Sequence, residues 1–451
     1  EAQGLLDQVV QAPDKPIAAE AALRIGQCRV LEAKQKLDAA RQRLGTPNLK
    51  PEEKNAAQKN YDDAVNAVRN AGQYLEQQSE AFKQALPNAE SRARMLYDAV
   101  WVYRSLADME IVAVREKMQQ EQQKKLLDEA QKKLPAGSPP PRIPLPEIAR
   151  SAIPLQPSED RARNVYRTLI KSFEELPLTL DARFELAELL AEHAEFDPAV
   201  AILKEALDKE PAQELTDRIR LRLGDCLLAK KDFKAALAQF DAVSDAKSPS
   251  FPQANYRAGE CLIDQGDFPK AAGRLSMFRD KAEFQNILAL SDRALLRLGY
   301  ALGKANQWDA SRQAYELLAQ RFGNSPWIHE ARYGIGWARQ NQKQYDEAVN
   351  AYQQVANAVT TDLAAKAFLQ IGLCRLEQKR YGDAASALLI VPTTFDFPEL
   401  NAAALCEAAR CYLEMKNHEQ AERLLRKVLK DHAESEWAKV AKERLDALKK
   451  G

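Results

Sequence analysis

Through the C-terminal two thirds of the chain, apolar residues recur three and four positions apart in paired segments, the spacing of one helix face. Each pair is keyed to a small residue: Ala187, Gly224, Gly259, Gly299, Gly336, Gly372 and Ala409, set 35 to 40 residues apart. Twelve residues after each comes a second small side chain, Ala199, Ala236, Ala271, Ser311, Ala348, Ala384 and Ala421. Four further on stands a large one, Leu203, Phe240, Leu275, Tyr315, Tyr352, Leu388 and Leu425. Turn-like strings such as Gln265-Gly266-Asp267 and Lys343-Gln344-Tyr345 separate the halves. The pattern predicts two short antiparallel helices per unit. The small residues allow close approach, and the large ones fill the space between hairpins that cannot bury their apolar faces alone.

The N-terminal third departs from this period. Residues 17–44, with Ile25-Gly26, predict a lengthened first helix, and residues 52–86, around Tyr61, its partner. Between Pro87 and Pro135 the 47 residues contain neither Gly nor Pro. As one helix they would span about 70 Å. Their first half is apolar (Met95, Leu96, Val100, Trp101, Leu106) and their second half mostly Gln, Lys and Glu, which predicts oversized hairpins ending in a charged arm. Residues 135–157 hold eight prolines and form the return loop of the second hairpin; Ala162, Tyr166 and Leu169 mark its second helix. Pro141-Arg142-Ile143-Pro144 matches the PxxP pattern of ligands for aromatic-lined grooves, a motif that also arises by chance. The expected division is an arm over 1–134, the Pro-rich loop over 135–157, a return helix over 158–176, seven repeats over 177–434 and a capping helix over 435–451.

Composition supports an all-α chain. Of 451 residues 45% are apolar and 29% charged, with only 17 glycines. Lys+Arg and Asp+Glu both total 65, which argues against a generally basic nucleic-acid binder. No apolar run approaches the roughly 18 residues of a membrane span. The chain starts at Glu1 rather than Met, so it is expected to be processed or trimmed. Cys226, Cys261, Cys374 and Cys411 each fall two residues after a small residue, as Cys28 does after Gly26; Ala301 and Ala338 fill the same place. The spacing predicts a buried slot for a small apolar side chain, with no disulfides. The four histidines show no metal-ligand spacing, and no Walker loop or GxSxG elbow is present. Tyr333-Gly334-Ile335-Gly336 lies inside a helical unit with no strand before it, so it is not a dinucleotide loop. No cofactor is expected and no enzymatic site is found.

The units resemble the tetratricopeptide repeat (TPR) family. Leu186-Ala187 through Ala206 and Pro211 match its signature positions, whereas later units displace or lack the closing proline and run longer than the usual ~34 residues. The resemblance covers residues 159–449 and implies a right-handed superhelical solenoid. Strings such as Arg321-Phe322-Gly323-Asn324-Ser325-Pro326-Trp327 look like the bacterial cell-envelope branch, which includes the Tol–Pal coordinating protein, and this favours the periplasm or envelope over the cytoplasm. In the family, first helices line a concave groove that binds partner peptides. Residues three before and one after each small position are then implied to face it. One set reads Phe184, Leu221, Tyr256, Leu296, Tyr333, Leu369 and Cys406. The other reads Glu188, Asp225, Glu260, Tyr300, Trp337, Leu373 and Arg410. The groove so implied has an aromatic centre at Tyr300, Tyr333 and Trp337 and a basic end at Arg410. The Lys and Asn of the family's chaperone-tail clamp are absent from these positions. The implied function is a non-enzymatic scaffold for a protein or peptide partner, without nucleic acid or a membrane span. The alternatives are an architectural subunit of an envelope assembly, or the regulatory part of a larger enzyme.

Overall fold

Close approach at small residues governs how the helices pair. In the computed structural model, which describes residues 6, 8–132 and 145–448, a Cβ added to Gly259 would lie 2.6 Å from Leu275. At Gly299 it would lie 2.6 Å from Tyr315, at Gly336 2.7 Å from Tyr352, and at Gly372 2.4 Å from Leu388. In these four hairpins the large residue of the second helix therefore sits on the small residue of its own first helix. Where a serine takes the second small position, Ser311 Oγ donates to the Gly299 carbonyl at 2.6 Å.

The described residues contain no strand. The chain divides between Asp232 and Phe233 into two units. The first carries the long helices α1 (Lys15–Leu44), α2 (Pro51–Ala81) and α3 (Glu90–Lys132). It continues through α4 (Pro157–Ser172), α5 (Leu178–Glu192), α6 (Phe196–Asp208) and α7 (Gln213–Ala229). Each helix packs on the next in chain order. The long hairpins reuse the small-residue device: a Cβ on Gly26 would fall 2.1 Å from Leu75, and one on Gly72 3.1 Å from Val102. At 43 residues α3 is about 65 Å long. Its buried residues stop at Ile111.

The return segment runs back along α3. Ile153 packs with Ala107 and Ile111, while Ile148, Val114 and Met118 flank them. Gln119 Nε2 donates to the Pro146 carbonyl at 3.0 Å, and Ser158 Oγ donates to Glu110 at 2.7 Å. The Pro141-to-Pro144 motif lies outside the described residues.

The second unit holds α8 (Phe233–Ala242), α9 (Phe251–Asp264), α10 (Phe268–Leu275) and the short α11 (Met277–Asp280). Then come α12 (Ser291–Lys304), α13 (Trp308–Arg321), α14 (Ile328–Asn341), α15 (Tyr345–Ala356), α16 (Asp362–Glu377) and α17 (Tyr381–Thr394). The last hairpin, α18 (Pro398–Glu414) with α19 (His418–Asp431), is followed by α20 (Trp437–Leu448). The longest period, from Gly259 to Gly299, is taken up by α11 and a 3-10 turn at Ala282–Phe284, whose Phe278 and Phe284 are buried. The turns within the hairpins close at positive φ, as with 79° at Gly266 and 61° at Lys343. The following N–H then returns to the first helix, Asp267 to the Leu262 carbonyl and Gln344 to that of Arg339, both at 2.9 Å. The terminal α20 packs on α18 and α19; Arg444 donates to the Cys406 carbonyl at 2.6 Å.

The cysteine slot holds for four of the five residues placed in it. Cys226, Cys261, Cys374 and Cys411 are buried, but Cys28 is exposed. In a repeat the slot is closed from the preceding hairpin, as where Cys261 Sγ lies 3.4 Å from the Phe233 carbonyl. Helix α1 packs on α2 and α3, and neither covers Cys28. Burial pushes the thiols of Cys226, Cys261 and Cys406 up to about 11 and those of Cys374 and Cys411 to about 12. Titration of the native protein with Ellman's reagent should therefore find one reactive thiol at neutral pH, removed by Cys28→Ser, and all six after denaturation. Rapid reaction of two or more thiols in the folded protein would contradict this burial.

Candidate partner-binding surface

The first helices place the groove residues in three different environments. In the first unit Phe184 is only 6% exposed, under the Arg218 guanidinium, 4.5 Å from the ring centroid. In the second, Tyr256 is 1% exposed, with Arg293 at 5.3 Å from its ring. Both rings were expected to face a groove. Instead, each lies beneath an arginine six residues before the next unit's small position. The Tyr256 hydroxyl donates to Glu260 at 2.7 Å. Burial, then the Glu260 charge, raises its pKa. Cys406 is likewise buried, behind α20.

The acidic positions are occupied by contacts within the fold. Arg222 Nε donates to Glu188 Oε1 at 2.6 Å, and Arg297 Nε donates to Glu260 Oε1 at 3.2 Å. Each arginine stands two residues before the small residue of the following unit, so these pairs staple adjacent first helices. Glu260 also receives Arg257 at 2.8 Å. Asp225 is half-buried on α7. At the far end Arg410 is exposed and pairs with Glu407 at 3.4 Å, a carboxylate that also receives Arg444 at 2.9 Å.

Next to the Glu260–Arg297 pair, within the second unit, lies an aromatic surface. Tyr300 stacks on Trp337, ring centroids 6.2 Å apart and planes at 25°. Trp308 meets the indole of Trp337 edge-on at 5.0 Å, and Phe268 meets Tyr300 edge-on at 6.2 Å. All four rings are half-buried. The indole sits against Gly303, where a Cβ would lie 2.3 Å from it. Lys304 Nζ is 5.7 Å from the Tyr300 centroid, within cation–π reach. Tyr333 does not join this cluster; it packs on Tyr352 at 5.1 Å, and burial pushes its phenol up to about 12. Leu296 packs against the core, and Leu373 is half-buried.

Phe268 and Trp308 were not among the expected site residues. Each opens a second helix, three residues before its small position, as Phe196, Phe233, Tyr345 and Tyr381 do. That column is visible in the sequence.

No group of three or more His, Cys, Asp or Glu among the described residues could hold a metal. No described helix is long and apolar enough to cross a membrane.

A family model described as a tetratricopeptide repeat-like domain matches residues 116–277. Tetratricopeptide repeat models match residues 333–392, and 293–325 with 403–435. No curated protein matches the chain. A solved tetratricopeptide repeat protein from Parabacteroides merdae is 16% identical, covering 60% of this chain and 98% of its own, with a TM-score of 0.42. The C-terminal part of a TPR repeat-containing protein from Cytophaga hutchinsonii is 16% identical over 52% of this chain and 90% of its own, TM-score 0.43. A signal transduction ATPase with numerous domains and a tetratricopeptide repeat sensor, from Pyrococcus horikoshii, is 14% identical over 99% of this chain and 67% of its own, TM-score 0.48.

Proposed function

The chain is a tetratricopeptide-repeat protein, and from that premise we propose that it is a non-enzymatic scaffold that captures a partner protein segment on the first-helix face of its second unit. One observation carries the reading: Tyr300, Trp337, Trp308 and Phe268 form a continuous half-exposed aromatic surface, whereas the preceding units fill the corresponding face with ion pairs. Aromatic rings bury large area while ordering few torsions, so they are efficient anchors. The ion pairs join repeats to one another and leave Glu188 and Glu260 to structural work. Arg410, on α18, supplies a solvated charge that tunes salt dependence rather than affinity.

The test requires a partner recovered by affinity purification from the native source. Trp337→Ala should weaken its binding by about 2 kcal/mol. Tyr300→Ala should weaken it too, and the pair should be non-additive, because the rings stack on each other. Lys125→Ala, on exposed α3, is the control. Because Trp337 also fills the space over Gly303, helical content and melting temperature are measured for each variant. Normal binding by a folded Trp337→Ala protein would remove this surface from the function.

A second reading, an architectural subunit held through its long hairpins, is favoured by one feature. Those helices expose Leu31, Trp101 and Val112.

A further inference from the structure

The long N-terminal hairpins enclose a groove that is separate from the aromatic surface and does not depend on its reading. Between α1 and α3 lies a solvent-open cavity of about 640 Å³. Leu37, Tyr61, Met109 and Val112 supply its apolar lining. Val112 is 48% exposed, and Trp101, on the same helix, is 43% exposed. Residues 105 to 116 of α3 line it, a length of about 17 Å, or three helical turns.

The walls differ in charge. Helix α1 contributes Lys34 and Arg41, with Asp38 between them; α3 contributes Asp108 and Glu116. None of these five forms an ion pair or side-chain hydrogen bond with another described residue. Elsewhere in this unit, charges on first helices are matched across to the next one, as in Arg104–Glu185 and Arg222–Glu188. Lys34 and Arg41 are two helical turns apart, and so are Asp108 and Glu116.

We propose that this groove docks an amphipathic helix of a partner protein, its apolar stripe on Leu37, Tyr61, Met109 and Val112, its acidic flank along α1 and its basic flank along α3. A groove three turns long along α3, with α1 opposite and Tyr61 of α2 in its lining, fits a further helix, and burying its stripe would cover the exposed Val112 and the half-buried Tyr61 and Met109. The split charge sets the chemistry of the occupant. A helix acidic on both flanks meets Asp108 and Glu116, and one basic on both flanks meets Lys34 and Arg41. An anionic lipid surface would be repelled by the α3 wall.

The probes are three synthetic helical peptides of roughly 18 residues, long enough to overlap the groove at both ends. They share one Leu/Ala stripe and differ only in their flanks: Glu on one and Lys on the other, Glu on both, or Lys on both. Binding to the full chain is followed by fluorescence anisotropy. The split-flank peptide should bind at least about tenfold more tightly than either of the others. Val112→Glu places a charge in the lining at an exposed position the fold tolerates, and should weaken that peptide by about tenfold or more. The double variant Asp108→Lys, Glu116→Lys should shift the preference to the peptide with Glu on both flanks. Equal affinity for all three, no binding of any, or indifference to Val112→Glu overturns the proposal. So does a dimer, seen by sedimentation equilibrium, that Val112→Glu dissociates, because the occupant is then a second copy of the chain.

Discussion

Glu159→Ala should destabilise the first unit by about 3 kcal/mol, the largest loss expected from any single charged residue here. Glu159 is completely buried in the first turn of α4. Arg150, from the end of the return segment, donates to its Oε2 at 2.6 Å. Arg163, one turn on in α4, donates to Oε1 at 3.1 Å, and His193 Nε2, at the end of α5, lies 2.9 Å from the same oxygen. One carboxylate therefore joins three chain segments. Its removal leaves a buried guanidinium: Arg163 is 2% exposed, although it keeps Glu195 at 2.6 Å and the Leu189 carbonyl at 2.7 Å. Those remaining partners place the cost at the lower end of what breaking a buried ion pair brings. Urea denaturation measures the loss, and hydrogen exchange should place it in residues 145–208. A variant as stable as the parent would show that the cluster contributes nothing.

The same carboxylate gives a pH dependence of definite sign. Burial raises its pKa, but the hydrogen bonds from His193 and Arg150, with the Arg150 charge, outweigh that and leave it below the ordinary glutamate value. A depressed folded pKa means the unfolded chain binds the proton more readily. The stabilisation is thus fully present above the unfolded value of ~4.3 and is lost as pH falls through the lower folded value. The stability gap between parent and Glu159→Gln should close as pH falls from the unfolded value through the lower folded one. A gap that instead grew across that window would contradict the assignment.

Glu159 shows where sequence reading stops. Its partners lie nine residues before it, four after it and 34 after it, on a loop, a helix and a turn whose meeting no periodicity encodes. The repeat is the opposite case. A small residue and a large one sixteen positions later is a local code, because a hairpin turn of nearly constant length brings the two together; the pairs Gly259–Leu275 and Gly372–Leu388 are legible for that reason. The candidate surface falls between. Tyr300 and Trp337 could be placed from their positions, since one helix turn sets which way each points. The burial of Phe184 and Tyr256 could not, because it depends on Arg218 and Arg293 reaching over from the next unit. Glu188 and Glu260 were readable as outward-facing but not as occupied. Recognising that required aligning each small position with the arginine two residues before the next.

Tyr315→Ala should cost about 3–5 kcal/mol, and the loss should stay local. The ring is 4% exposed and lies between two first helices. A Cβ on Gly299, in its own hairpin, would stand 2.6 Å from it, and one on Gly334, in the next hairpin, 2.4 Å. Tyr315 thus bridges adjacent hairpins, and in a solenoid only neighbours share such contacts. Hydrogen exchange should rise across residues 291–341 and little elsewhere in the second unit; uniform loosening would argue against repeat-wise stability. The geometry also predicts a change of sign. In the parent, Gly334→Ala drives a methyl into a ring that cannot retreat because Gly299 stands behind it, an overpacking cost of about 1–3 kcal/mol. Leu275 against Gly259 shows that leucine fits the same position. In a Tyr315→Leu background the shorter side chain vacates the space at Gly334. There the same Gly334→Ala change should stabilise, by up to about 1 kcal/mol, through the helix propensity of alanine. Urea denaturation of the four proteins in this cycle is sufficient. If Gly334→Ala has the same sign in both backgrounds, the ring of Tyr315 is not what holds that position to glycine.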